Sequence, residues 1–221
     1  DAIVVSLMKG VEQKTGLRMS QVIQECGIGQ DRVVVVSGPN LALEIAAEQP
    51  AASVAASSSQ ASAMAVAKAS TNSYFTTFTN NDVIGTEFGG ILKNLIAVAI
   101  GIVNGVGYGQ NTKASIMTRG LSEISRFASA FGAKPETMVG LAGLGDLIAT
   151  SESPLSRNHK AGEMLGQGFS KKEVMEKLSQ TAEALVSVST VLELARDKNI
   201  AMPIVEQVEL VIEGKMDPKD I

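Results

Sequence analysis

Hydrophobic and polar positions divide the chain near residue 80. In the first part, AIVVS (2–6) and RVVVVSG (32–38) are β-branched runs ended by Ser or Gly, the pattern of buried parallel strands. ASVAASS (52–58) reads as a third, weaker strand and YFTTFTN (74–80) as a fourth. Between them, SQASAMAVAKAS (59–70) is Ala-rich with Ser at the cap position, which predicts a helix. Strands alternating with helices imply a wound, mostly parallel sheet.

Beyond residue 80 the periodicity is helical. GGILKNLIAVAIGIVNG (89–105) is a long apolar helix interrupted by Lys93 and Asn94. In TKASIMTRGLSEISRFASAFG (112–132), Met117, Leu121, Ile124, Phe127 and Phe131 recur at helical spacing, and Gly132 closes the segment. KPETMVGLAGLGDLIAT places Pro135 in a first helical turn. SKKEVMEKL (170–178) is capped by Ser170, TAEALVSVSTVLELARDKN (181–199) is a longer helix, and MPIVEQVELVIEG (202–214) runs from Pro203 to Gly214. The expected organisation is an α/β portion over 1–80 and an all-α portion over 81–221.

Composition narrows the classes of function. The chain has 221 residues, 45% hydrophobic, with only 4% aromatic and no Trp, so Ala, Ser, Val and Met carry the packing. Its net charge is −4, without a basic patch or a run of like charge, which argues against nucleic acid and anionic membrane as partners. Cys26 is the single cysteine and cannot form an internal disulfide, as expected in a reducing cytoplasm. No His/Cys cluster has metal-ligand spacing, and His159 is the only histidine. The apolar segment around Lys93 has too few uninterrupted apolar residues, and too many glycines near its ends, for a membrane span. It reads as a buried core helix.

The glycine-rich stretches are not nucleotide fingerprints. GIGQDR (27–32) precedes a strand and lacks the third Gly, and GVGYGQN (105–111) follows a helix. Other positions carry more chemistry. A lysine on an apolar helix snorkels, finds a partner, or does chemistry, and burial favours the neutral amine that a general base requires. In LAGLGDL (141–147), Asp146 is either a helix cap or a carboxylate that orients an amine or a substrate hydroxyl. In SPLSRNHK (153–160), Ser156, Arg157 and Asn158 offer a hydroxyl, a forked guanidinium and an amide beside a helix start, which suits a phosphate as well as it suits a solvated loop. His159 is expected at the surface or behind such a site. SGPNLALE (37–44) and MKG (8–10) both follow strands, so Lys9 and Gly38 share the sheet edge where α/β proteins bind ligands.

Taken together, GGILKNLIAVAIGIVNGVGYGQNTKA, SGPNLALE, LAGLGDL and SPLSRN resemble, in order and approximate spacing, the bacterial-type NAD(P)-dependent glycerol-3-phosphate dehydrogenase family. The resemblance covers nearly the whole chain. It implies a Rossmann-like domain followed by a helical domain of the 6-phosphogluconate dehydrogenase C-terminal type, with the active site between them. It implies hydride transfer between NAD or NADP and the C2 carbon of dihydroxyacetone phosphate, giving sn-glycerol 3-phosphate for phospholipid synthesis. By motif, Lys93 is the implied general acid/base. Lys9, Gly38, Asn40, Asp146, Ser156, Arg157 and Asn158 are implied to hold the substrate. Lys9, Ala42, Arg157, Thr181 and Glu183 are implied to contact the cofactor. A phosphorylated triose is the implied ligand, with no nucleic acid and no membrane insertion, and a homodimer is open.

Two positions depart from the family pattern. Asn40 stands where Ser or Thr is usual, and Asn104 where Asp or Glu is usual. The opening DAIVVSLMKG reads as a strand and loop, and no glycine fingerprint precedes it, so the chain is expected to be the C-terminal two-thirds of such an enzyme and inactive alone. Two other readings stay open: a related 6-phosphogluconate-type or ketopantoate-type reductase, and a non-catalytic helical dimerisation module.

Overall fold

The computed structural model describes residues 2–178 and 182–221. Contacts divide the chain into two compact units, Asp1–Gly90 with Ala128–Asp146, and Ile91–Phe127 with Leu147–Ile221.

In the first unit, β1 (Val4–Ser6) is followed by α1 (Met19–Glu25), β2 (Val33–Ser37), α2 (Ala42–Ala46), β3 (Ala51–Ala56), α3 (Gln60–Ser70) and β4 (Phe75–Asn80). The strands lie in the order β1-β2-β3-β4. All five residues of β2 are buried, as its unbroken β-branched run requires. β1 pairs with β2 in parallel (Val4 opposite Val33), and β3 with β4 in parallel (Ala51 opposite Phe75). The central β2–β3 pair is antiparallel, with Val35 opposite Ala56. The sheet is therefore mixed rather than simply wound. The connection between β2 and β3 carries only α2, a helix of five residues, rather than the longer helix that usually runs a crossover back along a strand. The helix at Met19–Glu25 has no strong apolar period to announce it. A reciprocal cap starts it, in which the Gln21 side chain accepts from the Arg18 backbone N–H.

The unit is completed by parts of two long helices, α4 (Val83–Val106) and α5 (Gln110–Ala130), and by α6 (Pro135–Met138). Leu141–Gly145 then forms a π turn, marked by the Gly145 N–H donating to the Gly140 carbonyl five residues back. It delivers the chain to α7 (Asp146–Glu152).

The second unit holds the rest of α4 and α5 with α8 (Arg157–Gly166), α9 (Lys171–Lys177), α10 (Ala184–Asp197) and α11 (Pro203–Ile212). By length and composition α4 could cross a membrane, yet 83% of its most apolar window is buried inside the protein. Its burial rests on glycine. Gly101 and Gly105 on α4 meet Gly162 and Gly166 on α8: a methyl group on Gly101 would stand 3.0 Å from the Gly162 Cα, and one on Gly105 3.0 Å from the Gly166 Cα. The two helices cross backbone to backbone. Glu123, on α5, accepts from the backbone N–H groups of Ile204 (3.1 Å) and Val205 (3.0 Å), capping the start of α11. Burial raises the pKa of that carboxyl, and the two N–H groups pull it back.

A polar cavity of about 310 Å³ in this unit is lined by Asn104, Lys113, Ser151, His159 and Glu163, among others. Asn104 bridges its neighbours: its Oδ1 accepts from Lys113 Nζ at 2.6 Å, and its Nδ2 donates to Glu163 Oε1 at 3.1 Å. A carboxylate at this position would face the Glu163 carboxyl, where the Asn104 amide donates a hydrogen bond instead. His159 Nδ1 is buried without a hydrogen-bond partner among the described residues, and burial lowers the pKa of the ring while Glu163 pulls it up.

Two stability measurements test this packing. Gly162→Ala gains about 1 kcal/mol of helix propensity but drives a methyl group into the α4 backbone, at a cost of about 3 kcal/mol or more. The net expectation is a lower denaturation midpoint, and an unchanged or higher one would contradict the crossing. For His159, a folded pKa below the ordinary value of about 6.5 means stability is complete above that pH and is lost as the pH falls through the folded value. Tm should therefore fall less between neutral pH and pH values below the His159 pKa in His159→Gln than in the parent, and equal slopes would contradict a ring held neutral.

Candidate functional site

Lys9, Gly38 and Asn40, expected at the sheet edge, gather with Asp146 in the first unit. Lys9 Nζ lies 2.5 Å from Asp146 Oδ2 and 3.3 Å from the Gly38 carbonyl. The Asp146 side chain is only 3% exposed, and that of Lys9 is 21% exposed. The π turn sets Asp146 at the first position of α7, where the helix dipole favours a carboxylate. Gly38 has φ +146 and would press a side chain within 3.1 Å of the Ser53 Cα, so the chain leaves β2 through a turn that only glycine fits. Asn40 Nδ2 donates to Ser53 Oγ (3.0 Å), which in turn donates to the Ser37 carbonyl (3.0 Å). Asn40 Oδ1 and Ser37 Oγ are buried with no hydrogen-bond partner among the described residues. Two buried oxygens of this kind at a strand end, beside an ammonium group, are what the hydroxyl donors of a polyhydroxylated ligand would satisfy. Ala42 is exposed at the start of α2 and joins none of these contacts.

The second unit holds the other expected residues. Lys93 is 5% exposed, and its Nζ lies 2.5 Å from Thr150 Oγ1. The question posed by an amine on an apolar helix is thus answered by a buried hydroxyl. Asn94 is buried beside it in the chain. Thr150 was not among the expected residues. Its one signal is its position four residues after Asp146, the spacing of a single helix face.

SPLSRN splits by role. Ser156 is the N-cap of α8, its Oγ accepting from the His159 N–H at 3.2 Å, which leaves the hydroxyl hydrogen available to a ligand. Arg157 Nη2 reaches Glu183 Oε1 at 3.2 Å, with the two side chains 45% and 43% exposed. Asn158 is buried; its Oδ1 accepts from the Ala184 N–H (3.1 Å) and its Nδ2 lies 3.5 Å from Glu183 Oε2. Arg157, Asn158 and Glu183 therefore form one cluster with a solvent-facing guanidinium. Thr181 lies outside the described residues. His159 stands apart, on the polar cavity.

These residues fit a dinucleotide in part. In the first unit Lys9 is a cation suited to a phosphate and the orphaned oxygens suit hydroxyl donors; in the second, Arg157 is a cation suited to a phosphate. The glycine loop that cradles a pyrophosphate is not in this sequence.

Comparison with known proteins supplies the family. Residues 82–221 match the family model described as NAD-dependent glycerol-3-phosphate dehydrogenase C-terminus, and residues 1–63 match the corresponding N-terminus model. A glycerol-3-phosphate dehydrogenase [NAD(P)+] from Leifsonia xyli is 63% identical over 99% of this chain and 60% of its own length. Its counterpart from Frankia casuarinae is 53% identical over 100% of the chain and 66% of its own. The chain spans less than two thirds of the length of either. Among solved structures, glycerol-3-phosphate dehydrogenase from Coxiella burnetii superposes with a TM-score of 0.92 at 37% identity, covering 99% of this chain and 66% of that one. The Saccharomyces cerevisiae enzyme gives 0.86 at 28% identity, with coverage of 99% and 66%. The four-stranded sheet is accordingly the Rossmann-like part and the helices that follow it are the C-terminal domain. With both family models matched along the chain, this protein belongs to the NAD-dependent glycerol-3-phosphate dehydrogenase family.

Proposed function

We propose that this chain carries the catalytic residues of an NAD(P)-dependent glycerol-3-phosphate dehydrogenase, interconverting dihydroxyacetone phosphate and sn-glycerol 3-phosphate. The observation that carries the reading is Lys93: an amine buried on an apolar helix and held at 2.5 Å from the Thr150 hydroxyl. A buried amine must be compensated by specific partners, and a titratable group kept in such a place is a candidate for proton transfer. A nicotinamide cofactor, when bound, supplies or accepts the hydride at C2. In reduction, the substrate C2 carbon gains a hydride while its oxygen gains a proton from the Lys93 ammonium; in oxidation, the neutral Lys93 amine takes that proton back. Thr150 fixes the direction of the Nζ atom. Lys9 and Asp146 form the second charged element, with Asp146 holding the Lys9 ammonium toward the strand-end loop of Gly38 and Asn40.

Ser156, Arg157 and Asn158 bind the substrate, its phosphate meeting the Arg157 fork and the N–H groups at the start of α8. Arg157, Glu183, Thr181, Lys9 and Ala42 contact the cofactor. Residues 1–80 act as the C-terminal portion of the dinucleotide-binding domain, and 81–221 as the helical substrate domain. The site of action is the cytoplasm, with a homodimer as the candidate assembly. The names of the relatives favour the triose phosphate over 6-phosphogluconate or ketopantoate, and favour an enzyme over a dimerisation module.

The test is NADH and NADPH oxidation with dihydroxyacetone phosphate, by this chain and by a protein carrying it at the full length of its relatives. Turnover by the full-length protein is expected, and its absence would sink the reading. In that protein Lys93→Ala should lower kcat by about 10²–10⁴-fold, the weight of a positioned acid/base, and near-normal kcat would remove Lys93 from the mechanism. Arg157→Ala should mainly raise KM for the phosphorylated ligands. Unchanged affinity for both substrate and cofactor would contradict its role.

A further inference from the structure

A buried ion pair outside the proposed machinery is unaccounted for. Glu87, on the second turn of α4, has a side chain only 2% exposed, and it pairs with Arg18, whose side chain is 12% exposed. The Glu87 carboxylate takes three donors: Arg18 Nη1, the Ser20 backbone N–H (2.8 Å) and the Ser20 hydroxyl (2.6 Å). The Arg18 guanidinium also donates to Ser20 Oγ (3.2 Å) and lies over the Phe88 ring, 5.8 Å from its centroid. A pair this dry is costly to bury and strengthens a fold less than an apolar replacement of equal size would. Its geometry is better explained by what it holds in place.

Arg18 closes a loop. Its backbone bridges Val11, the Glu12 N–H donates to the Leu17 carbonyl (2.9 Å), and the Gly16 N–H donates to the Glu12 carbonyl (2.8 Å). The loop is thus stapled at its stem, and Lys9 stands two residues before Val11. Gly90 follows Glu87 by three residues, so both lie on one face of α4. A methyl group on Gly90 would stand 3.3 Å from Lys9 Cγ, 3.4 Å from Lys9 Cδ and 2.8 Å from Ser37 Oγ. The Lys9 stem therefore runs over the bare backbone at Gly90 and ends at Asp146. One turn of α4 anchors the loop and the next provides the channel for its lysine.

We infer that Arg18 and Glu87 are positioning residues for Lys9. They fix the loop to α4 so that the ammonium group meets Asp146 and the Gly38 carbonyl rather than solvent. The inference deepens the proposed function, because the role of Lys9 toward a phosphorylated substrate rests on that reading, while its placement does not.

Two readouts separate the claims. The first is acetylation of individual lysines, followed by peptide mass spectrometry on the full-length protein. Lys9 should react slowly in the parent and severalfold faster in Arg18→Met and Glu87→Gln. Lys172, with a side chain 86% exposed, and Lys113, pinned on Asn104, serve as references that should not change. The second is steady-state kinetics: both variants should raise KM for dihydroxyacetone phosphate about tenfold or more with a smaller change in kcat, as displacement of a binding group does. Arg18→Lys, which keeps a cation opposite Glu87, should restore most of both. Should Arg18→Met fail to fold, Glu87→Gln and Arg18→Lys decide by the same readouts. Unmoved Lys9 labelling, or labelling that rises equally at Lys113, overturns the positioning role. Faster Lys9 labelling in a protein whose parent never turns over dihydroxyacetone phosphate upholds it and overturns the proposed function instead.

Discussion

The contact on which most of the helical unit depends is one between backbones. Where Gly101 and Gly105 cross Gly162 and Gly166, no side chain separates α4 from α8, and the two main chains pack directly. Such an approach excludes water from between the two main chains, where Val98 and Ile102 are fully buried. It also fixes where α8 begins relative to α4 within the unit, and with it Ser156, Arg157 and Asn158 at the first turn of α8. A larger residue at any of the four glycines would move the helix start that carries the polar cluster.

Burial has a second consequence on α4. The dry surroundings that stabilise the helix make Lys93 expensive, since an ammonium group deprived of water must be compensated by specific partners. The Thr150 hydroxyl is one such partner. A hydroxyl, unlike a carboxylate, orients an amine without fixing its charge, because it accepts from the ammonium and can donate to the neutral amine. The arrangement therefore leaves both protonation states hydrogen-bonded, as a group that gives and takes a proton requires. Lys9 is placed differently: its Nζ lies 2.5 Å from Oδ2 of Asp146, an acidic side chain. The hydroxyl beside Lys93 and the carboxyl group beside Lys9 are thus partners of different chemistry.

What could be read from the sequence follows from what is local. β2 declares itself through four consecutive valines, α3 through the Ser59 cap and alternating alanines, and α9 through the Ser170–Glu173 capping box. Lys9, Gly38, Lys93, Asp146 and Arg157 were legible because each sits beside a strand end, a helix start or an incongruous apolar run. The antiparallel β2–β3 pair was not legible, because a strand's residue pattern carries no direction. Thr150 and the Arg18–Glu87 pair were missed for a related reason. Their partners lie 57 and 69 residues away, and an isolated Thr, Arg or Glu on a helix has no local oddity to mark it.

The π turn at Leu141–Gly145 has an implication for how this stretch of chain tolerates change in length. An i→i+5 turn holds one residue more than its α counterpart, so removing a residue there would let the backbone relax into a regular helix without breaking it. That deletion would act as a rotation rather than a shortening: whatever follows would swing by about 100° about the helix axis. Asp146 is the first residue to follow, so its carboxylate would leave the Lys9 ammonium while the α7 hydrogen bonds beyond the turn remained. The extra residue is a register setting, one that a deletion can reset while the helix itself persists.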